Sequence, residues 1–230
     1  MVEKLIFDSN CFNLNIGKIE INSDDEFSKL NPLLNDYDLV YVFSRKLITS
    51  ISKHLIDKKV ILTLNINDSN DSFLTFEPEI KSSDEVDFDY DQILNLAYAS
   101  GEFSRFKLDK NLDNKYFRKL YKIWIDDSLN KKIANDVLIF SEFKKNLGLM
   151  TYKISDSKSI IGLISVDENS QGKGIGKRLI KNLCKITNKL NLNKIEVATQ
   201  LDNIQALNFY KKCGFEITSI TYIYHLWPKK

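Results

Sequence analysis

Residues 171–176 read Gln171-Gly172-Lys173-Gly174-Ile175-Gly176, with glycine at every second position. This is the composition of an anion-binding turn. Without a Cβ the backbone curls tightly enough for successive N–H groups to converge on one anion at the positive end of a following helix, and a pyrophosphate is the ligand such a turn expects. Spacing excludes two phosphate-binding classes. A nucleoside-triphosphate loop keeps four residues between its first glycine and the Gly-Lys pair, then a Ser or Thr; here Gly176-Lys177 follows Gly172 too closely and Arg178 comes next. A dinucleotide fingerprint would need glycine at Lys177. Glu196 stands at a suitable distance downstream for it, but too little chain follows to complete a doubly wound sheet. A glycine-rich turn with no ligand is the remaining alternative.

The elements that must hold this turn are legible on both sides. Ile160, Ile161, Leu163, Ile164 and Val166 predict a largely buried strand before it, and Ile175, Leu179, Ile180, Leu183, Ile186 and Leu190 recur at helical spacing after it. A strand over 194–199 follows. Asp202 or Asn203 then caps a short helix that runs to Cys213, with Gly214 just past its end, and a β-rich segment over 215–227 closes the chain. Upstream, a helix over 93–98 ends at Ser100-Gly101. A polar loop over 102–114 leads into a helix burying Phe117, Leu120, Tyr121, Trp124, Ile125 and Leu129, and strands follow over 137–141, 147–154 and 159–166.

The first 76 residues predict a smaller mixed unit. Strands are expected over 5–7, 16–21, 40–43 and 60–66, a helix carries Leu47, Ile48, Ile51, Leu55 and Ile56 on one face, and a turn over 67–71 begins a hairpin with 73–76. Residues 77–91 are acidic and weakly periodic. They are read as a joint, giving an N-terminal α/β domain over 1–90 and a second domain over 91–230; an acidic surface loop inside one domain is the alternative.

Composition narrows the function classes. In 230 residues, 28% are charged and the formal net charge is +2, which argues against a bulk nucleic-acid binder. No apolar run approaches the roughly 20 residues that span a bilayer, so no membrane insertion and a cytoplasmic location are expected. Cys11, Cys184 and Cys213 are few and far apart, as for reduced thiols. His54 and His225 are too little material for a His-based metal site or a Ser-His-Asp triad, and no metal is expected.

The strand, then Gln171-x-x-Gly174-x-Gly176, then Asn203-x-x-Ala206-x-x-x-Tyr210 with Cys213-Gly214-Phe215, resembles the two signature motifs of the GCN5-related N-acetyltransferases (GNAT). These are acyl-coenzyme A enzymes. Gln171 stands where arginine is also common and Asn169 where proline is frequent, and neither removes a backbone donor. The resemblance implies an α/β acyl-CoA N-acyltransferase fold with a mixed central sheet over 91–230, preceded by the smaller α/β domain. It implies acetyl-CoA as cosubstrate, held by Gln171, Gly172, Lys173, Gly174, Ile175, Gly176 and Asn203, with the main chain of Ile164 and Val166 offered to the pantetheine arm and thioester. It also implies that Tyr210 is the general acid for the departing thiolate, since a phenol of pKa about 10 can protonate a thiolate whose acid has pKa about 8.5 when the two are hydrogen-bonded. For the base, Glu102, Asp109, Asp167 and Glu168 are all candidates and none is singled out.

Residues 99–106 (Ala-Ser-Gly-Glu-Phe-Ser-Arg-Phe), Asp109 and 117–124, together with Asp8-Ser9, Phe12 and Gly17-Lys18, resemble the dTDP-4-amino-4,6-dideoxygalactose N-acetyltransferases within that family. This implies a sugar-nucleotide acceptor at Ser104, Arg105 and Phe106, with the Arg105 guanidinium on a diphosphate and a ring of Phe103 or Phe106 on a base. Arg105 as a surface charge, with the aromatics filling a domain joint, is the alternative. The resemblance also implies a homodimer. Two other functions stay open: acetylation of another small amine or a protein terminus, and a non-catalytic acyl-CoA-binding module.

Overall fold

Pairing along both edges makes Leu55–Asn65 (β4) a central strand, and burial alternates over residues 60–64, with Val60, Leu62 and Leu64 turned to one side and Asp57 and Lys59 to the other. The computed structural model describes residues 2–29, 34–66 and 78–229. Before β4 come β1 (Glu3–Lys4), α1 (Ile6–Phe12), β2 (Ile16–Glu20), α2 (Asp24–Ser28), β3 (Leu39–Ser44) and a 3-10 turn at Thr49–His54. After it come β5 (Ile80–Ser82), α3 (Tyr90–Ser100), α4 (Arg105–Leu108), α5 (Asn114–Leu129), β6 (Asp136–Glu142), β7 (Lys145–Ile154) and β8 (Ser159–Val166). A 3-10 turn at Glu168–Ser170, α6 (Ile175–Lys189), β9 (Lys194–Gln200), α7 (Ile204–Lys212) and β10 (Glu216–Leu226) complete the chain.

Among the described residues the strands form one mixed sheet in the order β1-β2-β3-β10-β4-β9-β8-β7-β6-β5. Only β2–β3 and β8–β9 are parallel among its pairs. The acyl-CoA N-acyltransferase fold expected over the second half is present, but the sheet does not divide at residue 90. β4 lies between β10 and β9, pairing with both along its length, and β5 extends the other end beside β6. Residues 80–82 of the expected joint are therefore a strand.

Other local expectations change too. Residues 6–12 are helical where a strand over 5–7 was expected, because Asn13 ends the turn in the left-handed region (φ +52°) and buries Cys11 and Phe12 against the sheet. The helix expected around 47–56 is only the 3-10 turn, since β4 already begins at Leu55. The polar loop over 102–114 contains α4. The hairpin with 73–76 lies outside the described residues.

Each face of the sheet is covered. On the front, α6 and α7 bury Leu179, Leu183, Leu207 and Tyr210 against β4, β6, β7 and β9. A fully buried leucine such as Leu179 contributes about 2 kcal/mol by area removed from water. On the back, α1, α3, α4 and α5 bury Phe12, Ile93, Phe106, Phe117 and Ile125 against Tyr41, Ile139, Leu149 and Leu163.

Candidate functional site

The parallel pair β8–β9 is hydrogen-bonded only at its start. Pairing runs from Ser159↔Ile195 to Ile161↔Val197, yet β8 continues to Val166 and β9 to Gln200. The two strands diverge from there, and β8 stays joined to β7 while β9 stays joined to β4. The cause lies at Gly162-Leu163, where the β7–β8 register slips by one residue and Leu163 N–H donates to Thr151 Oγ1 (2.8 Å). A Cβ at Gly162 would stand 2.6 Å from that hydroxyl. The result is a wedge through the sheet.

Main-chain groups of β8 line the wedge. Leu163 N–H points to β7 at Thr151, and Asp167 N–H donates to Leu147 O (2.9 Å). Alternation then turns the main chain of Ile164 and Val166 to the wedge. Val166 O accepts there from Gln171 Nε2 (3.3 Å), and Gln171 Oε1 accepts from Gln205 Nε2 (2.9 Å), so one side chain links β8 to the first turn of α7.

The glycine turn sits at the open end. Gly172 and Gly174 have φ of +79° and +82°, and nothing stands within 4 Å of a Cβ built on either. Both are exposed, as are Gln171 and Lys173, whereas Ile175 is buried on α6. Among the described residues the N–H groups from Gly172 to Lys177 have no backbone acceptor; Arg178 N–H is the first to be paired, to Gly174 O (3.0 Å). A run of free donors at the start of a 15-residue helix suits a polyanion. Gly176 has another role: a Cβ there would lie 3.0 Å from Phe209 Cζ, so it lets α6 approach α7.

Tyr210 is on the front face, 4% exposed, with its ring 5.2 Å from Phe209 and 5.5 Å from Phe215. Burial raises its pKa strongly, so the phenol keeps its proton throughout the neutral range. Asn203 is half-buried and caps α7, its side-chain oxygen accepting from Ala206 N–H (3.1 Å).

On the back face, Arg105 gathers a cluster that the sequence did not reveal. Its guanidinium carbon lies 4.4 Å from the Tyr41 ring centre, 4.5 Å from Phe106 and 5.4 Å from Phe43. Among the described residues no carboxylate stands within ion-pair distance of it. Buried around it, without hydrogen-bond partners, are Tyr41 Oη, Asp57 Oδ1, Ser104 Oγ, Arg105 Nε and His225 Nε2. Tyr41 Oη is near the Asp8 carboxyl and Ser104 Oγ near the Tyr121 hydroxyl, but neither pair reaches hydrogen-bond geometry. So many buried unpaired polar atoms in one place are costly in the free protein and offer a polar ligand its contacts.

Electrostatics separate the acids. Burial pushes Asp57 up to about 6, against the opposing pull of Arg105 and Lys59. Asp109 is also desolvated, but donors from His225, Asn111 N–H and Trp227 outweigh burial and hold it below the usual range. His225 is pushed down to about 4, chiefly by burial and by Arg105, although its contact with Asp109 (Nδ1 to Oδ2, 2.6 Å) works the other way. His225 is therefore neutral, with Nδ1–H donating to Asp109 and a bare Nε2.

Ser104, Arg105 and Phe106 thus meet in one cluster, with Ser104 and Phe106 buried and Arg105 half-buried. The base candidates do not converge. Glu102 is exposed and pairs with Lys107 (3.5 Å), Glu168 is exposed, Asp167 caps the 3-10 turn through Asn169 N–H (3.2 Å), and Asp109 is occupied by His225 and Trp227. Sequence reading missed Tyr41, Asp57 and His225. No local signal marked Asp57, because it opens the charged run Asp57-Lys58-Lys59 and does not stand alone in an apolar strand.

Residues 105–215 match the model of the Acetyltransferase (GNAT) family. Spore coat polysaccharide biosynthesis protein SpsD of Bacillus subtilis (strain 168) is 27% identical over 142 residues, covering 62% of this chain and 49% of that protein. The chain thus spans about half the length of the curated relatives it matches or less. Two solved structures share the fold. A functionally unknown conserved protein from Staphylococcus epidermidis superposes with TM-score 0.65 at 12% identity, covering 92% of this chain and 83% of that one. A GCN5-related N-acetyltransferase from Sphaerobacter thermophilus superposes with TM-score 0.53 at 12% identity, covering 84% and 60%.

Proposed function

From the premise that residues 105–215 are a GNAT-family acetyltransferase domain, we propose that the chain moves an acetyl group from acetyl-CoA to the amine of a nucleotide-linked 4-amino sugar. One observation carries this reading: β8 and β9 stop pairing beyond Ile161 and Val197, with an exposed, phosphate-ready glycine turn following β8 and unpaired polar atoms clustered around Arg105 on the back face. In it, the amides of Gly172–Gly176 take the pyrophosphate. The main chain of Ile164 and Val166 holds the thioester arm, and an N–H there faces the carbonyl oxygen as negative charge develops. Tyr210 gives its proton to the leaving thiolate. Holding both reactants in one gap supplies much of the acceleration by removing translational freedom.

The acceptor class rests on Arg105. An unpaired guanidinium over aromatic rings suits a nucleoside diphosphate, phosphate to the charge and base to a ring. The polysaccharide role named for SpsD favours the same class. A polycationic amine is disfavoured, since Arg105 and Lys59 both face the site. The reading also carries a cytoplasmic location, where both substrates are made, and a homodimer. No helix among the described residues is long and apolar enough to cross a membrane.

Incubation with acetyl-CoA and a panel of dTDP-linked amino sugars, read by mass, tests the proposal. One added acetyl group on a 4-amino sugar nucleotide is the expected result, and no acetylation of any of them contradicts it. Tyr210→Phe should lower kcat by about 100-fold while acetyl-CoA affinity changes little.

A further inference from the structure

We infer that Asp57 is the catalytic base that takes the proton from the acceptor ammonium. The inference rests on the acetyl-transfer reading above and adds the group that reading lacks. Three geometric facts place Asp57 there. It lies on the back face of β4, 6% exposed, with Oδ1 unpartnered. Carrying the register Lys59↔Gln200 two residues further puts Asp57 level with Asp202, beyond the end of β9; carrying Ile161↔Val197 the same way brings the end of β8 to that level. Asp57 therefore stands beside the open end of the wedge. Half-buried Lys59, two residues on and on the same face, keeps the row in reach of solvent.

The groups facing Asp57 suit a base. Lys59 comes from its own strand, Arg105 from α4, the Gln200 side chain from β9, Asp202 from the turn after β9 and Tyr121 from α5. The two cations keep the carboxyl ionised at neutral pH, while burial holds its proton affinity above that of a solvated aspartate, at about 6. None of the four carboxylates expected from sequence combines a buried position with a free oxygen.

The step balances. An ammonium N–H bond breaks and its proton goes to Asp57, freeing the lone pair that forms the N–C bond to the thioester carbonyl. As the tetrahedral adduct collapses, the C–S bond breaks. The thiolate receives a proton from the Tyr210 hydroxyl, which regains one from solvent, and the nitrogen gives its second proton to solvent. One proton remains on Asp57 and is lost to solvent.

The test compares wild type, D57N and D57E with acetyl-CoA and dTDP-4-amino-4,6-dideoxygalactose across pH. D57N should lose roughly 100-fold or more in kcat/KM at neutral pH with acetyl-CoA Kd within about twofold. The deficit should shrink as pH approaches the pKa of the amine itself, and D57E should recover part of it. A D57N enzyme within about threefold of wild type, or a deficit equal at every pH, overturns the assignment. An infrared titration of wild type minus D57N needs no acceptor. One carboxyl titrating near 6 supports Asp57, and one titrating in the ordinary carboxylate range overturns it. If wild type acetylates no sugar nucleotide, the acceptor reading fails, and the infrared titration decides Asp57 by itself.

Discussion

Nδ1 of His225 stands 2.6 Å from Oδ2 of Asp109, and both side chains are sealed from water. Trp227 Nε1–H donates to the same oxygen (3.0 Å), so the carboxylate is fixed by two donors and in turn fixes the imidazole tautomer. Nitrogen NMR of the ring should show a neutral imidazole carrying its proton on Nδ1 throughout the neutral range, because burial pushes His225 down to about 4. A doubly protonated ring at neutral pH would contradict this. Asp109→Ala removes the acceptor, leaves two buried donors unpaired and should cost on the order of 2 kcal/mol in chemical denaturation.

Asp57 makes stability depend on pH in the opposite sense to Asp109, whose pKa is lowered in the folded protein. Its folded pKa, about 6, is above the unfolded value, so its contribution is present in acid and is lost as pH rises from about 4 through 6. D57N removes that loss. The variant should match wild type in acid and exceed it above neutral pH by roughly 1–3 kcal/mol, the ceiling set by two pKa units. Equal stability of the two proteins at alkaline pH would count against a strained carboxylate.

The front half of the site was legible because it is written in local sequence. Gly172 and Gly174 need left-handed backbone, Asn203 caps a helix and Tyr210 follows at fixed spacing, all within 40 residues or so. The back half was not, because it is assembled by sheet order. Tyr41, Asp57 and His225 become neighbours only when β3, β10 and β4 lie side by side, through pairings such as Tyr41↔His225 and Asp57↔Ile223. The charged run Asp57-Lys58-Lys59 hid the first half of β4, so the strand read as starting at Val60. For the same reason the chain looked divisible near residue 90.

Gly174 and Gly176 should fail differently. Ala at Gly174 meets no atom but must adopt φ near +82°, which costs about 1–2 kcal/mol and reshapes the turn. Acetyl-CoA affinity measured by calorimetry should fall by at least about tenfold. Ala at Gly176 presses on Phe209 and should lower kcat more than affinity, by moving α7 and Tyr210.

Gly101 is constrained by space. A Cβ there would lie 2.3 Å from Tyr121 Cζ, so Gly101→Ala must displace that ring and the turn leading to Arg105. The expected outcome is about 1–3 kcal/mol of destabilisation and a raised KM for the acceptor, with acetyl-CoA binding intact. An unchanged acceptor KM would separate Tyr121 from the site.

A fragment of residues 91–230 should not fold as a monomer. It lacks β4, leaving β9 and β10 without the strand that pairs with both. Circular dichroism should show it largely unfolded or aggregated; a cooperative melt like that of the full chain would restore an independent second domain.

Donor and acceptor should meet through the gap between β8 and β9. A crystal structure with a bisubstrate compound, the amino-sugar nitrogen joined through an acetyl group to coenzyme A, tests it directly. The carbonyl is expected in the gap beside Ile164 and Val166, with sulfur toward Tyr210 on one face and nitrogen toward Asp57 on the other. A carbonyl outside the gap, or nitrogen and sulfur on the same face, would contradict it.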